Sequence, residues 1–208
     1  MKITWAKVLP FVLMAVFALT RWPGLLPQQW SSFSAAYALA FCAGVYFPRA
    51  LAWSLPIGTL LISDVAMNIF YYKVEPLSRY MLMNYLMYAA LIWLGQRYSK
   101  NDSLAKLVGG GIWGALLFFI ITNVIAWLQN PEYTKDWNGF MQAWTTGIAG
   151  WPPPWMFLRN TLLSGGLFTG LFAGAMKLSE AAESAREKEV PKPAEEEEPE
   201  PAPQESKA

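Results

Sequence analysis

The sequence contains no histidine and a single cysteine among 208 residues, and only 15% of its residues are charged. Without histidine, the commonest general base and the commonest metal ligand are both missing. Hydrolytic, haem and zinc chemistry therefore lose their usual side chains, and neither a metal site nor a cofactor is expected. The lone Cys42 excludes an intrachain disulfide and a cysteine-ligated zinc site. It lies in an apolar run, where its role is that of a small packing residue. Ordinary soluble domains carry roughly 25% charged residues. Here 54% of the chain is hydrophobic, and the charge that exists is unevenly spread. From Glu180 onward ten Glu face four Lys or Arg, a net −6, whereas before it twelve bases outnumber five acids, a net +7. An apolar, mildly basic body thus precedes an acidic tail.

A bilayer core of ~30 Å takes ~20 apolar residues per helix, fewer where helix ends snorkel or the bilayer thins. Six segments fit: Ala6–Trp22, Trp30–Phe47, Ala50–Tyr72, Ser78–Tyr98, Leu104–Leu128 and Trp155–Leu178. Breaks fall at Pro23-Gly24 with Pro27, at Pro48-Arg49, at Glu75-Pro76 and at Lys100-Asn101-Asp102. The first segment has the charge and length of a signal peptide. Thr20-Arg21-Trp22-Pro23 follows it instead of a small-residue cleavage site, so it is expected to be retained as a helix. The predicted fold is an all-α, polytopic membrane bundle over residues 1–178, with a disordered Glu/Pro/Ala-rich tail over 179–208 that cannot bury enough apolar surface to fold. Basic residues near helix ends divide seven to five in favour of the side holding Lys2, Arg49, Lys100 and Lys177, which places both termini in the cytoplasm.

The connection from Gln129 to Pro154 is too long for a plain turn. Within it Trp137, Phe140, Met141, Trp144 and Ile148 recur at helical spacing, predicting an interfacial helix before the last span, ended by Gly150. Pro152-Pro153-Pro154 then forms a stiff bracket between Trp151 and Trp155. Trp137, Trp144, Trp151 and Trp155 either anchor the protein at the membrane surface or form a lid over a site.

Small residues recur every fourth position at Ala36, Ala40 and Gly44, at Gly110 and Gly114, and at Gly166, Gly170 and Gly174. That spacing puts them on one ridge of each helix, where backbones approach closely in lipid. Internal packing or docking onto a separate membrane partner would both use such ridges.

Polar residues inside the spans gather at one end. Asp64 is the one acid within a span, and at 1.5 Å per residue it lies ~12 Å from Tyr72. Asn68 is one turn further on the same face. Because successive helices alternate direction, Arg21, Asn84, Thr122, Asn123, Arg159, Asn160 and Thr161 fall in the same half, the non-cytoplasmic one. A carboxylate at mid-membrane costs ~2.5–3.5 kcal/mol even on lenient scales. Asp64 is therefore expected either to pair with Arg21 or Arg159 in a satisfied internal network, or to help line a cavity. The candidate ligand-binding set is Asp64, Asn68, Asn84, Asn123, Arg159, Asn160 and Arg21.

The run from Arg21-Trp22-Pro23 to Leu61-Ile62-Ser63-Asp64 resembles a family of bacterial integral membrane proteins of unknown function. So do Gly111-Ile112-Trp113-Gly114 with Thr122-Asn123, and Phe157-Leu158-Arg159-Asn160-Thr161. More remotely, six helices with an outward polar pocket resemble the S components of energy-coupling-factor transporters. That likeness implies a multi-pass protein of the bacterial inner membrane that captures a small solute for transport and docks on a membrane-embedded subunit driven by ATPases. The chain itself carries no phosphate-binding loop, since Gly109-Gly110-Gly111 lacks the Gly-Lys-Ser/Thr that should follow. The alternative is an accessory subunit packed into a larger membrane complex. No nucleophile–base pair or second carboxylate accompanies Asp64, so an enzyme is not expected. Nor is a nucleic-acid partner.

Overall fold

The computed structural model describes residues 5–77 and 80–189. Among these the chain is helical, with no strand. The helices are α1 (Trp5–Thr20), α2 (Ala36–Tyr46), α3 (Arg49–Ala66, extended by a π-helical turn over Met67–Tyr72), α4 (Tyr80–Gly95), α5 (Leu104–Gln129), α6 (Trp137–Trp144) and α7 (Pro154–Glu189). Three of them are long and apolar enough to cross a membrane: Arg49–Tyr72, Leu104–Gln129 and Pro154–Ala185. Phe11–Thr20, Ala36–Tyr46 and Met81–Gly95 are shorter apolar helices. Large apolar side chains such as Leu19, Ile62, Phe70, Leu82, Leu163 and Leu171 point outward, as a lipid-facing surface requires.

The centre of the bundle is α2, which touches α1, α3, α4, α5 and α7. Its residues Ala36–Ala43 are all buried. Four alanines in this run let the surrounding backbones come close, the device expected where no hydrophobic effect drives helices together. At its far end Gly44 meets α4 so closely that a Cβ there would collide with the Ile92 carbonyl oxygen, and a Cβ at Gly95 would collide with that of Phe41. The two helices thus run side by side with their C-terminal ends in backbone contact.

The predicted span Trp30–Phe47 is corrected at its start, since α2 begins only at Ala36. The reason is a run of serines whose hydroxyls compete for backbone groups. Ser31 Oγ donates to the Gln28 carbonyl, and Ser34 Oγ accepts from the Ala36 N–H. The Ala35 N–H donates to Thr20 Oγ1 at 3.0 Å. Ser32 adopts a left-handed φ of +67°, a strained choice for a non-glycine residue. Helix α2 is therefore capped from outside and preceded by an irregular α1–α2 connection containing a short 3₁₀ turn, Gln28–Trp30.

Helices α5 and α7 pack antiparallel along a tight seam. Gly111 lies against the Thr169 side chain and Gly165 against the Ala115 methyl. Of the small residues predicted to pack, Gly110 abuts the Phe41 and Tyr98 rings, Gly114 abuts Leu91, and Gly166 and Gly170 touch Ile112 and Val108. A Cβ at Gly174 would meet nothing within 4 Å. The closest α5–α7 approach is thus one residue off the predicted ridge.

Two further expectations change. Helix α7 continues to Glu189, beyond the tail boundary at 179. Ala, Glu, Lys and Arg in this stretch are strong helix formers, and Lys100 pairs with Glu180 at 3.3 Å while Lys177 donates to the Lys100 carbonyl. The remainder of the tail lies outside the described residues. Helix α6 forms where the spacing predicts it but ends at Trp144 instead of near Gly150. The Gly147 N–H returns to the Gln142 carbonyl with φ +70°, a left-handed C-terminal stop that glycine tolerates.

Candidate functional site

The ends of α1, α3 and α5 and the starts of α2, α4 and α7 gather at one end of the bundle. Two cavities open there, of about 740 Å³ and about 490 Å³. Ser32, Tyr37, Phe118, Thr122 and Trp151 line both, so the two are lobes meeting at a shared throat. Each falls in the size range of small-molecule sites.

Most of the wall of the larger lobe comes from the α1–α2 connection, from Thr20 to Ser34. The rest is Tyr37 from α2, Tyr71 and Tyr72 from the π-helical turn, Asn84 and Tyr88 from α4, Phe118 and Thr122 from α5, and Trp151. The π-helical turn underwinds and widens the end of α3, a local feature frequent at functional sites. In the smaller lobe Asn123, Asn130, Glu132, Tyr133 and Thr161 supply polarity, and Pro152 and Pro154 close one side. Tyr133 lies in the connection after α5, and burial, followed by the neighbouring Glu132 charge, raises its phenol above the ordinary value of 10.0.

The throat is aromatic. Tyr37 stacks with Tyr88 at an interplanar angle of 4°, and Phe118 lies 4.7 Å from Tyr37 between ring centroids. Its polar groups are the hydroxyls of Ser32, Tyr37 and Thr122. Thr122 Oγ1 itself donates 2.7 Å to the Phe118 carbonyl, back within its own helix.

The predicted polar residues divide into wall and framework. Arg21, Asn84 and Asn123 line the lobes. Asn123 also donates to the Ala143 carbonyl at 3.0 Å, tying α6 to α5. Asp64 sits behind the wall, buried and paired with Arg21, while Ser63 Oγ accepts from the other Arg21 amine. The buried Tyr85 hydroxyl lies beside the same carboxylate. Asn68 donates to the Pro76 carbonyl and closes the turn after α3.

Asn160 is buried and serves the backbone. Its amide donates to the carbonyls of Gln29 at 2.8 Å and Ser31 at 2.9 Å, and its oxygen accepts from Arg159. The Arg159 guanidinium lies over the rings of Trp30 and Trp155, 5.2 Å and 5.4 Å from their centroids. Asn160 and Arg159 together clip the 3₁₀ turn of the α1–α2 connection to the start of α7. On the other side Gln28 Nε2 donates to the Gly150 carbonyl.

The four tryptophans expected over the site also divide. Trp151 lines both lobes. Trp137 is 71% exposed. Trp144 packs between Phe119 and Phe140, and Trp155 flanks Arg159. Sequence reasoning missed Tyr37, Tyr88, Phe118 and Ser32. Tyrosine and phenylalanine in a span read as apolar filling, and the one available signal was a tyrosine in an otherwise alanine-rich buried helix.

Residues 1–188 match a family described as Family of unknown function (DUF6580). The chain belongs to this family. The match takes in every helix that builds the two lobes, and it stops one residue short of the end of α7. No curated protein matches the chain, and no solved structure matches it.

Proposed function

We propose that the chain is a small-solute-binding membrane protein of transporter S-component type, which takes a polar ligand into the two-lobed cavity from the non-cytoplasmic side. The observation that carries this reading is the pair of lobes joined at one aromatic, hydroxyl-bearing throat. In this reading the chain crosses the bacterial inner membrane six times, with both termini in the cytoplasm. Helix α2 has 11 residues, ~16 Å at 1.5 Å per residue, so the α1–α2 connection completes that crossing. Irregular backbone at membrane depth is tolerated where protein covers it or where it lines a watery cavity, and the bonds from Asn160, Thr20 and Ser34 provide that cover. Lacking a phosphate-binding loop, the chain would depend on a membrane-embedded partner with ATPases to move what it binds.

A second reading has its own support. Asp64 is paired and Asn160 is saturated by backbone carbonyls, as in an accessory subunit whose polar residues only hold it together. The test is the melting temperature of the detergent-purified protein against vitamins, nucleobases and amino acids. A ligand bound only by the folded state at 100 times its Kd adds about 2.7 kcal/mol. The proposal expects a compound that raises the melting temperature of the wild type and not of Thr122→Trp, whose indole fills the throat. If Thr122→Trp folds and no compound moves the wild type, the accessory-subunit reading stands instead.

A further inference from the structure

We infer that the cavity selects a flat organic cation, its ring held by Tyr37, Phe118 and Trp151 at the throat and its charge directed to Glu132 in the smaller lobe. This deepens the solute-binding reading and rests on it. The argument is one of charge. Among the described residues, the side chains lining the two lobes include two that are charged, Arg21 in the larger and Glu132 in the smaller. Arg21 is already neutralised by Asp64 behind the wall. Glu132 makes no ion pair among the described residues. The nearby Lys135 gives its ammonium to three backbone carbonyls, those of Trp127, Asn130 and Tyr133, at 2.6–3.0 Å. The Glu132 backbone N–H is fixed on the Asn130 side chain, so its turn is anchored beside the lobe. The wall therefore carries a net negative charge. Among the lining side chains an anion would meet no unpaired cation: Arg159 is held by Asn160 and the Gln29 carbonyl between two indoles, and it and Lys73, which follows the π-helical turn, lie outside both lobes. The electron-rich faces of the throat rings add attraction for a cation and little for an anion.

The experiment uses three ring-matched probes on the full-length protein in detergent: benzyltrimethylammonium, the neutral N,N-dimethylbenzamide and benzenesulfonate. Binding is read by melting temperature and by tryptophan fluorescence. The expected order of affinity is cation, then neutral, then anion, with the cation's affinity falling as salt is raised. Glu132→Gln should weaken the cation by roughly fivefold, the scale of one partly exposed charge pair, and leave the neutral probe unchanged. Phe118→Leu should weaken both. Benzenesulfonate binding best, in a manner lost in Thr122→Trp, would overturn the inference and leave the solute-binding reading intact. Equal cation affinity in wild type and Glu132→Gln would also overturn it. Silence of the wild type toward all three probes, when a panel compound does bind, overturns the flat-cation assignment alone.

Discussion

Asp64 and Asn160 show how the same residue types divide between wall and framework. A buried ion pair is costly to break because the survivor stays charged and unpaired, typically by 3–5 kcal/mol. Asp64→Leu should therefore lower stability by roughly 3 kcal/mol, whereas Asp64→Leu with Arg21→Met should recover most of the loss. Unfolding by titrated denaturing detergent measures both. Asn160→Ala removes two part-buried hydrogen bonds, leaving the Gln29 carbonyl to the 3.3 Å bond from Arg159, and at about 0.5–1.5 kcal/mol per bond the loss is about 1–3 kcal/mol. It should also free the α1–α2 connection, seen as faster proteolysis between Trp22 and Ser34. The position of these residues at one end was legible from helix alternation alone. Their division was not. Asn160 bonds the carbonyls of Gln29 and Ser31, 131 and 129 residues away in sequence, and nothing in local sequence marks a backbone carbonyl as the target of an amide.

Among the elements, α5 and α7 were plain in the sequence because a long apolar run has few alternatives. Helix α2 was harder, since Trp30 and Phe33 extend its apolar pattern backward and only the three serines between Trp30 and Ala35 hint at irregular backbone. The α2–α4 contact was half visible: Gly44 sat on a recognisable small-residue ridge, whereas Gly95 stands alone inside the predicted span Ser78–Tyr98, with Leu91 instead of a small residue four positions before it and so no ridge to mark it. Any side chain at Gly95 must push the Phe41 backbone away. Gly95→Ala should therefore lower the melting temperature far more than Gly109→Ala, whose Cβ meets nothing within 4 Å. Helix α6 offers a pH-dependent counterpart. Asp136 caps it, and hydrogen bonds from the Gly139 backbone N–H and then Thr134 hold its carboxyl below the ordinary value of 3.8. A depressed folded value means that the stabilisation is present above pH 3.8 and is lost as pH falls through the folded value. Amide exchange over 137–144 should be faster in Asp136→Ala than in the wild type at neutral pH, and the two should converge in acid.

At the scale of the whole molecule, the polarity of the bundle is its organising feature. Aromatic, hydroxyl and amide groups collect at one end around two lobes, and glycine crossings with a lysine–glutamate contact close the other. The sequence showed the polar half and offered the tryptophan-rich segment either as a lid over it or as a surface anchor. The larger lobe is walled instead by the α1–α2 connection, with Trp151 as the contribution from the other side. Connections of this kind are invisible to hydropathy, because their role depends on where the neighbouring helices end. In the proposed function the cavity opens to the non-cytoplasmic face and reaches Thr122. Labelling of Thr122→Cys by a membrane-impermeant maleimide, in intact cells on a Cys42→Ala background, tests it directly, with the exposed Asn101→Cys at the opposite end as the control. Thr122→Cys should react in intact cells and Asn101→Cys only after permeabilisation. A Thr122→Cys that stays unreacted in intact cells, or reacts only once the membrane is breached, would rule out an outward-opening cavity.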